Sequence, residues 1–220
     1  MIIAVDGPSG AGKSTVARIL AKRLGFLYID TGAMYRALTF KALENNLPID
    51  DEEKIAQLAG STKIGLRNNT DGSLTVILDG QDVSLDIRKP RITQFVSDIA
   101  KIKEVRRVLV DIQRELGLRG DCVLDGRDIG TVVFPDAEFK FFIDASAEVR
   151  VNRRFKELNG LGQKVSQGDV SKDLSNRDKI DSTRQVSPLR QADDAIYIDT
   201  TRLSIEQVVQ KMSEYVKKNG

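Results

Sequence analysis

The run Gly7-Pro8-Ser9-Gly10-Ala11-Gly12-Lys13-Ser14 fits the spacing G-x-x-x-x-G-K-S, and no other feature constrains this chain as strongly. It lies between an apolar run, Ile2 to Val5, and a helical pattern made by Val16, Ala17, Leu20 and Leu24. A loop in that setting turns on its glycines, so that successive N–H groups point inward, and it opens a helix whose N-terminus adds positive potential. Such a loop binds nucleotide phosphates. Lys13 is expected to reach the β- and γ-phosphates, and the Ser14 hydroxyl is placed to ligate Mg²⁺. Gly7, Pro8, Ser9, Gly10, Ala11, Gly12, Lys13, Ser14 and Thr15 are therefore the candidate triphosphate-binding residues.

The remaining pattern says what the loop is built into. Leu27 to Ile29, Cys122 to Leu124, Phe139 to Ile143 and Ala195 to Ile198 read as further short buried strands. Ala33 to Leu43 reads as a helix, and the closing helix carries Ile205, Val208, Val209, Met212 and Val216 behind Ser204 as N-cap. Alternating strands and helices predict an α/β fold of three layers, with a parallel sheet covered on both faces. Two stretches depart from it. Ile64 to Val83 alternates like a hairpin around Asn69-Thr70-Asp71-Gly72, which predicts a small insertion. Glu157 to Arg184 is polar and glycine-containing with no core periodicity, which predicts a mobile lid. The expected organisation is one domain: core 1–61, 99–156 and 185–220, insertion 62–98 and lid 157–184.

Composition narrows the chemistry. The 220 residues include no histidine and one cysteine, Cys122, so a histidine-based triad, an imidazole ligand, an internal disulfide and a thiolate zinc site are all excluded or implausible. Catalysis must rest on Lys, Arg, Asp, Glu, hydroxyls, backbone amides and a hard cation. The 34 basic against 32 acidic residues leave a net charge of +2, too little to suggest a nucleic-acid polymer or a membrane surface as partner. No apolar run has the length of a membrane span, and Ile2 opens directly into a strand with no basic leader, so a cytoplasmic location is expected. Aromatics are scarce at 5%, which makes a monomer the default.

A guanine-reading Asn-Lys-x-Asp motif is absent, which argues against a GTPase switch. Asp125, at the end of the Cys122 strand, stands where a metal-facing carboxylate commonly sits.

Four segments, VDGPSGAGKST, DTGAMYR (30–36), LDGRDIGTVVFPDA (124–137) and NRD…DSTR…SPL (176–189), together resemble the bacterial cytidylate kinases of the nucleoside monophosphate kinase group. Ser14 and Thr31 vary within that group and do not separate its subtypes. The resemblance implies a P-loop kinase whose core holds ATP, whose insertion helps hold the monophosphate, and whose lid closes over both. The activity implied is transfer of the ATP γ-phosphate to CMP or dCMP with Mg²⁺. It implies Thr31, Tyr35, Arg36, Ser97, Arg106, Arg127, Asp128, Arg177, Asp181 and Arg184 as monophosphate-binding residues. Lys13, Arg127, Asp128, Arg154 and Arg184 are the implied catalytic set, with Arg153 a rival to Arg154. Asp128 could accept from the cytosine N4 amino group while Arg106 donates to N3 or O2; uracil presents the opposite polarity at that edge. Without the resemblance, Ser97 and Arg106 would sit on the polar face of one helix over 91–116. Other acceptors on the same fold, and a nucleotide-dependent switch, are the alternatives.

Overall fold

The computed structural model describes all residues, 1–220. Five strands, β1 (Ile2–Asp6), β2 (Leu27–Asp30), β6 (Cys122–Asp125), β7 (Phe139–Asp144) and β8 (Ile196–Asp199), form a sheet in the order β2-β6-β1-β7-β8. All its pairings are parallel. Successive side chains of a strand point to opposite faces, and β1 shows it: Ile3 and Val5 enter one core, Ala4 the other. The Ile3 face is covered by α1 (Lys13–Leu24) and α8 (Ile205–Asn219), whose Val16, Leu20, Val209 and Met212 are buried there. The Ala4 face is covered by α2 (Thr31–Glu44), α3 (Glu52–Gly60), α4 (Pro90–Ala100) and α5 (Lys103–Gly117). This is the expected three-layer fold.

The hairpin predicted after Ile64 is β3 (Ile64–Asn68) and β4 (Leu74–Leu78), joined by β5 (Gln81–Asp82) in a separate antiparallel sheet. Asn68 ties that sheet to the core: its side chain accepts from Tyr28 N at 3.1 Å and donates to Tyr28 O at 3.0 Å, mimicking a strand pairing at the β2 edge.

Two expectations are corrected. The single helix over 91–116 is two, broken at Lys101 and Ile102. The apolar stripe of α4 is Ile92, Val96, Ile99 and Ala100, and an unbroken helix would carry it on to Lys103 and Arg107, which are exposed. The stripe of α5 is instead Val105, Leu109 and Leu116, out of phase with the first. Breaking the chain at Ile102, which leaves helical geometry and buries its side chain, lets both stripes face the core. The stretch 157–184 is likewise not without periodicity. α6 (Ala147–Gly160) runs into it, and α7 (Gln167–Thr183) begins at a Ser166/Asp169 capping box. Val170, Leu174 and Asp181 are buried at helical spacing. Asp181 stands in that stripe, so hydrophobicity alone does not trace it.

Candidate functional site

Each of the five parallel strands ends in an aspartate: Asp6, Asp30, Asp125, Asp144 and Asp199. Aspartate is a poor strand former, but it suits the point where backbone amides leave the ladder and need acceptors. Over these carboxyl ends lies a cleft of about 890 Å³, where ligands of parallel α/β sheets bind.

The phosphate loop forms the cleft floor. Gly7 packs so closely on β7 that an added Cβ would lie 1.9 Å from the Ile143 carbonyl oxygen, so no other residue fits. Gly12 takes a left-handed φ of 94° and enters α1 with no side-chain cap, leaving the first-turn amides of the helix for a ligand. Lys13 is buried, donates to Pro8 O at 2.6 Å, and has its pKa brought down to about 7 by burial, with Arg127 adding repulsion. The Ser14 hydroxyl donates to Asp125 Oδ2 at 2.6 Å, and Tyr28 OH donates to Asp125 Oδ1 at 2.7 Å. Burial, then Asp30, pushes the Asp125 carboxyl up to about 6. Ser14 and Asp125 thus bring a hydroxyl and a carboxylate together beside the phosphate loop. Oxygen donors in small number, completed by phosphate and water, suit Mg²⁺ better than a soft metal. No cluster of three or more carboxylate, thiol or imidazole groups forms a protein-only metal cage.

The other half of the cleft is built of arginines held by aspartates. Arg127 donates from Nε to Asp181 Oδ2 and from Nη2 to Ser9 Oγ, each at 2.8 Å. Arg106 pairs with Asp128 at 2.5 Å and lies over the Tyr35 ring, its guanidinium carbon 5.4 Å from the centroid. Arg184 bridges Asp128 and Asp181 at 3.5 Å each. Arg36 pairs with Asp30 at 3.0 Å, while the same carboxylate caps α2 through Ala33 N. Thr31 donates to Asp125 O at 2.8 Å, and Ser97 is buried on the cleft wall. Arg177 has its pKa pulled down to about 10 by burial, then by Arg127. These pairings leave gaps. Arg106 Nε, Arg154 Nε, Arg177 Nε and Arg184 Nη2 are buried without a hydrogen-bond partner, the last lying 3.5 Å from Asp128 Oδ1. Unsatisfied guanidinium donors in a cleft mark where anionic oxygens fit. Ten cationic side chains against five carboxylates line it, an excess of five in a chain of net charge +2.

The sequence-named residues accordingly gather in one place. Ser9 through Thr15, Thr31, Tyr35, Arg36, Ser97, Arg106, Asp125, Arg127, Asp128, Arg154, Arg177, Asp181 and Arg184 all line the cleft; Gly7 and Pro8 do not. Arg153 and Arg154 separate in geometry. Arg153 is spent on Ala11 O, Thr200 Oγ1 and Thr200 O, at 2.7–3.2 Å. Arg154 pairs with the exposed Glu157 at 2.9 Å and keeps Nε free. Four residues went unnamed: Asp6, Tyr28, Arg150 and Asp178. Asp178 accepts from Ser9 N at 3.0 Å and pairs with Arg150, which also donates to Ser9 O at 2.9 Å, so α6 and α7 grip the phosphate loop from behind. Asp6 directly follows the Ile2–Val5 run, as Asp125 follows the Cys122 strand, and that position is the signal that could have found it. The others had none, because a buried tyrosine and helical charges are ordinary features of any chain.

A parallel sheet whose first strand opens into a phosphate loop, under an arginine-rich cleft, defines a P-loop nucleotide-binding protein of the small-kinase type. The fold is similar to an uncharacterized protein of Eubacterium ventriosum (TM-score 0.53, 13% identity, 99% of this chain and 98% of that one). It is also similar to a shikimate kinase of Bacteroides thetaiotaomicron (TM-score 0.50, 12% identity, 99% and 98% covered). The sequence is more decisive. Residues 3–218 match the family model described as cytidylate kinase. Cytidylate kinases of Caldanaerobacter subterraneus subsp. tengcongensis and Carboxydothermus hydrogenoformans are 52% and 50% identical, over 99% and 98% of this chain and 95% and 97% of theirs. That of Clostridioides difficile is 46% identical over 96% of both chains. The chain belongs to the cytidylate kinase family, and it is a kinase.

Proposed function

We propose that the cleft transfers the γ-phosphate of ATP to CMP or dCMP, giving ADP and CDP or dCDP. The observation that carries this reading is the buried Arg106–Asp128 pair in the half of the cleft facing the phosphate loop. A carboxylate acceptor beside a guanidinium donor matches cytosine, which offers an N4 amino donor next to the N3 and O2 acceptors. Uracil would set O4 against the carboxylate and N3–H against the guanidinium.

The chemistry needs no imidazole. A monophosphate has a second pKa of ~6, so its attacking oxygen is already largely deprotonated at pH 7. Transfer then depends on alignment and on positive charge around the moving phosphoryl group. Lys13 and the first-turn amides of α1 hold the donor. Arg36 and Arg127 serve the acceptor phosphate, and Arg154, Arg177 and Arg184 supply guanidinium forks between the two phosphates. Asp181 orients Arg127 and Arg184, and the resemblance also brings it and Arg177 near the acceptor ribose. The burial of Lys13, which makes its charge costly without a ligand, makes a triphosphate its natural partner. Ser14, aided by Asp125, would hold Mg²⁺ with the triphosphate, and the ion would supply charge neutralisation at the phosphate oxygens.

The 62–98 insertion closes on the acceptor and 157–184 acts as a lid. The kinase acts as a monomer in the cytoplasm, with neither a nucleic-acid polymer nor a membrane as partner. The deciding experiment is ADP release from ATP and Mg²⁺ with CMP, dCMP, UMP, AMP or GMP. Preference for the cytosine nucleotides is expected, and equal use of UMP and CMP would refute the reading.

A further inference from the structure

Asp6 is the one strand-terminal aspartate that neither lines the cleft nor reaches solvent: it is 5% exposed at the end of β1. Its two oxygens are used separately. Oδ1 accepts from Ile129 N at 2.9 Å and Oδ2 from Gly130 N at 2.8 Å, the two amides that directly follow Asp128. The loop beyond is a π-helical turn, Ile129–Val133, and its amides close back on Asp128: Val132 N and Val133 N donate to Asp128 O at 2.9 and 3.2 Å. Arg114 takes the carbonyls of Val132 and Val133, and Lys140 that of Pro135. The turn is therefore pinned from β1, α5 and β7, and of these anchors only Asp6 binds the Ile129 and Gly130 amides. Asp6 shares the strand face of Ala4, opposite Ile3 and Val5, and the buried Lys13 favours its charge without a hydrogen bond between them. Burial outweighs this: it pushes the Asp6 carboxyl up to about 7, although both amides pull it down, and Asp128 adds repulsion.

We propose that Asp6 is the positioning residue for acceptor-base selection: by holding the Ile129 and Gly130 amides, it fixes the direction in which Asp128 presents its carboxylate to the cytosine edge. The proposal rests on the reading of Asp128 as the base-facing group. A carboxylate is what the geometry demands, because two adjacent N–H groups require two acceptor atoms. Asparagine has the same shape but one acceptor, and its NH₂ would oppose one of the two N–H groups. The competing role, support of the phosphate loop that begins at the next residue, has no bond to show for it. All the hydrogen bonds of the Asp6 side chain go to the Asp128 turn.

The test measures kcat/KM for CMP and UMP, and KM for ATP, in Asp6→Asn, Asp6→Ala and Asp128→Asn. Asp6→Asn is expected to raise KM for CMP and lower the CMP/UMP ratio about fivefold or more, the scale of one lost buried hydrogen bond. Asp6→Ala should lower the ratio further, and KM for ATP should stay within about twofold in both. An ATP KM that rises as much as that for CMP would assign Asp6 to the phosphate loop and overturn the proposal. So would an unchanged ratio in Asp6→Asn when Asp128→Asn lowers it. An unchanged ratio in Asp128→Asn removes the base-reading role itself, and this proposal with it. Should the Asp6 variants not fold, hydrogen exchange in the wild-type protein decides. The Ile129 and Gly130 amides should be protected without ligand, and free exchange at either would overturn the proposal.

Discussion

Replacing Asp128 with alanine tests the buried charge cluster directly. Arg106 is 2% exposed and Arg184 8%; with Arg127, which also pairs with Asp181, they share two carboxylates, Asp128 and Asp181. Asp128→Ala leaves one more buried guanidinium charge unmatched, that of Arg106. Removing one partner of such a pair costs ~3–5 kcal/mol. Asp6 recovers a little of this, because a like charge leaves its neighbourhood. In a chain of this length ~1 kcal/mol moves Tm by about 2–4 °C, so the melting point should fall by roughly 6–20 °C. Asp128→Ala combined with Arg106→Met removes both charges and leaves Arg184 with Asp181 at 3.5 Å. The double variant should be more stable than the single one, as replacing a whole buried pair with apolar groups of similar volume is often nearly neutral. Thermal unfolding of the three proteins, followed by circular dichroism at one pH, is the assay. A single-variant shift under about 2 °C, or a double variant as unstable as the single, would refute the claim that this pair is a desolvated unit.

Other outcomes follow from the same geometry. Asp128→Asn, which keeps the side-chain shape, should lower kcat/KM for CMP more than it weakens ATP binding; an unchanged CMP/UMP ratio in steady-state kinetics would remove Asp128 from base reading. Lys13→Ala should fold normally yet lose transfer by about two orders of magnitude or more, the scale of one lost electrostatic donor, and near-normal kcat/KM would contradict the phosphate-loop role. Hydrogen exchange over 157–182 should slow when a bisubstrate ligand binds, and equal protection with and without it would exclude a closing lid. Burial lowers the Lys13 pKa from its unfolded value of 10.5 to about 7, so in that window the unfolded chain binds more protons and the contribution of Lys13 to ligand-free stability rises with pH. ATP should restore the charge, so binding at pH 8 should take up protons, measurable by calorimetry in buffers of different ionisation enthalpy; proton release would contradict this sign.

What could be read in the sequence was whatever a single local geometry dictates. The phosphate loop tolerates one spacing, because Gly7 and Gly12 have no substitutes where they stand. The strands were legible as short apolar runs, and each ended within two residues of where it was expected. Reading failed where two constraints compete. The break at Ile102 follows from a phase shift between two stripes, visible as Lys103 and Arg107 falling where the first stripe would continue, but only once a core is assumed on one side. The stripe on α7 mixes Val170 and Leu174 with Asp181, so hydrophobicity alone could not find it. Arg106 belongs to the same class: a charged residue on the buried face of an amphipathic helix reads as polar surface until a partner such as Asp128 is known.

The strand-terminal aspartates explain how so many cations fit under one sheet edge. Asp30 holds Arg36, Asp125 faces Lys13 and holds Ser14, and Asp144 lies near Arg150. Asp6 fixes the turn that presents Asp128, which holds Arg106 and Arg184. Parallel strands all end on the same side, so one residue type repeated at one structural position yields an acidic row directly beneath the cleft. That row offsets part of the repulsion among the buried guanidinium groups without satisfying all their N–H groups, four of which make no hydrogen bond. Phosphate oxygens supply what the aspartates leave out. A site built this way is held together before its substrates arrive and is still short of negative charge, which is the condition for binding two phosphate-bearing molecules against each other's repulsion.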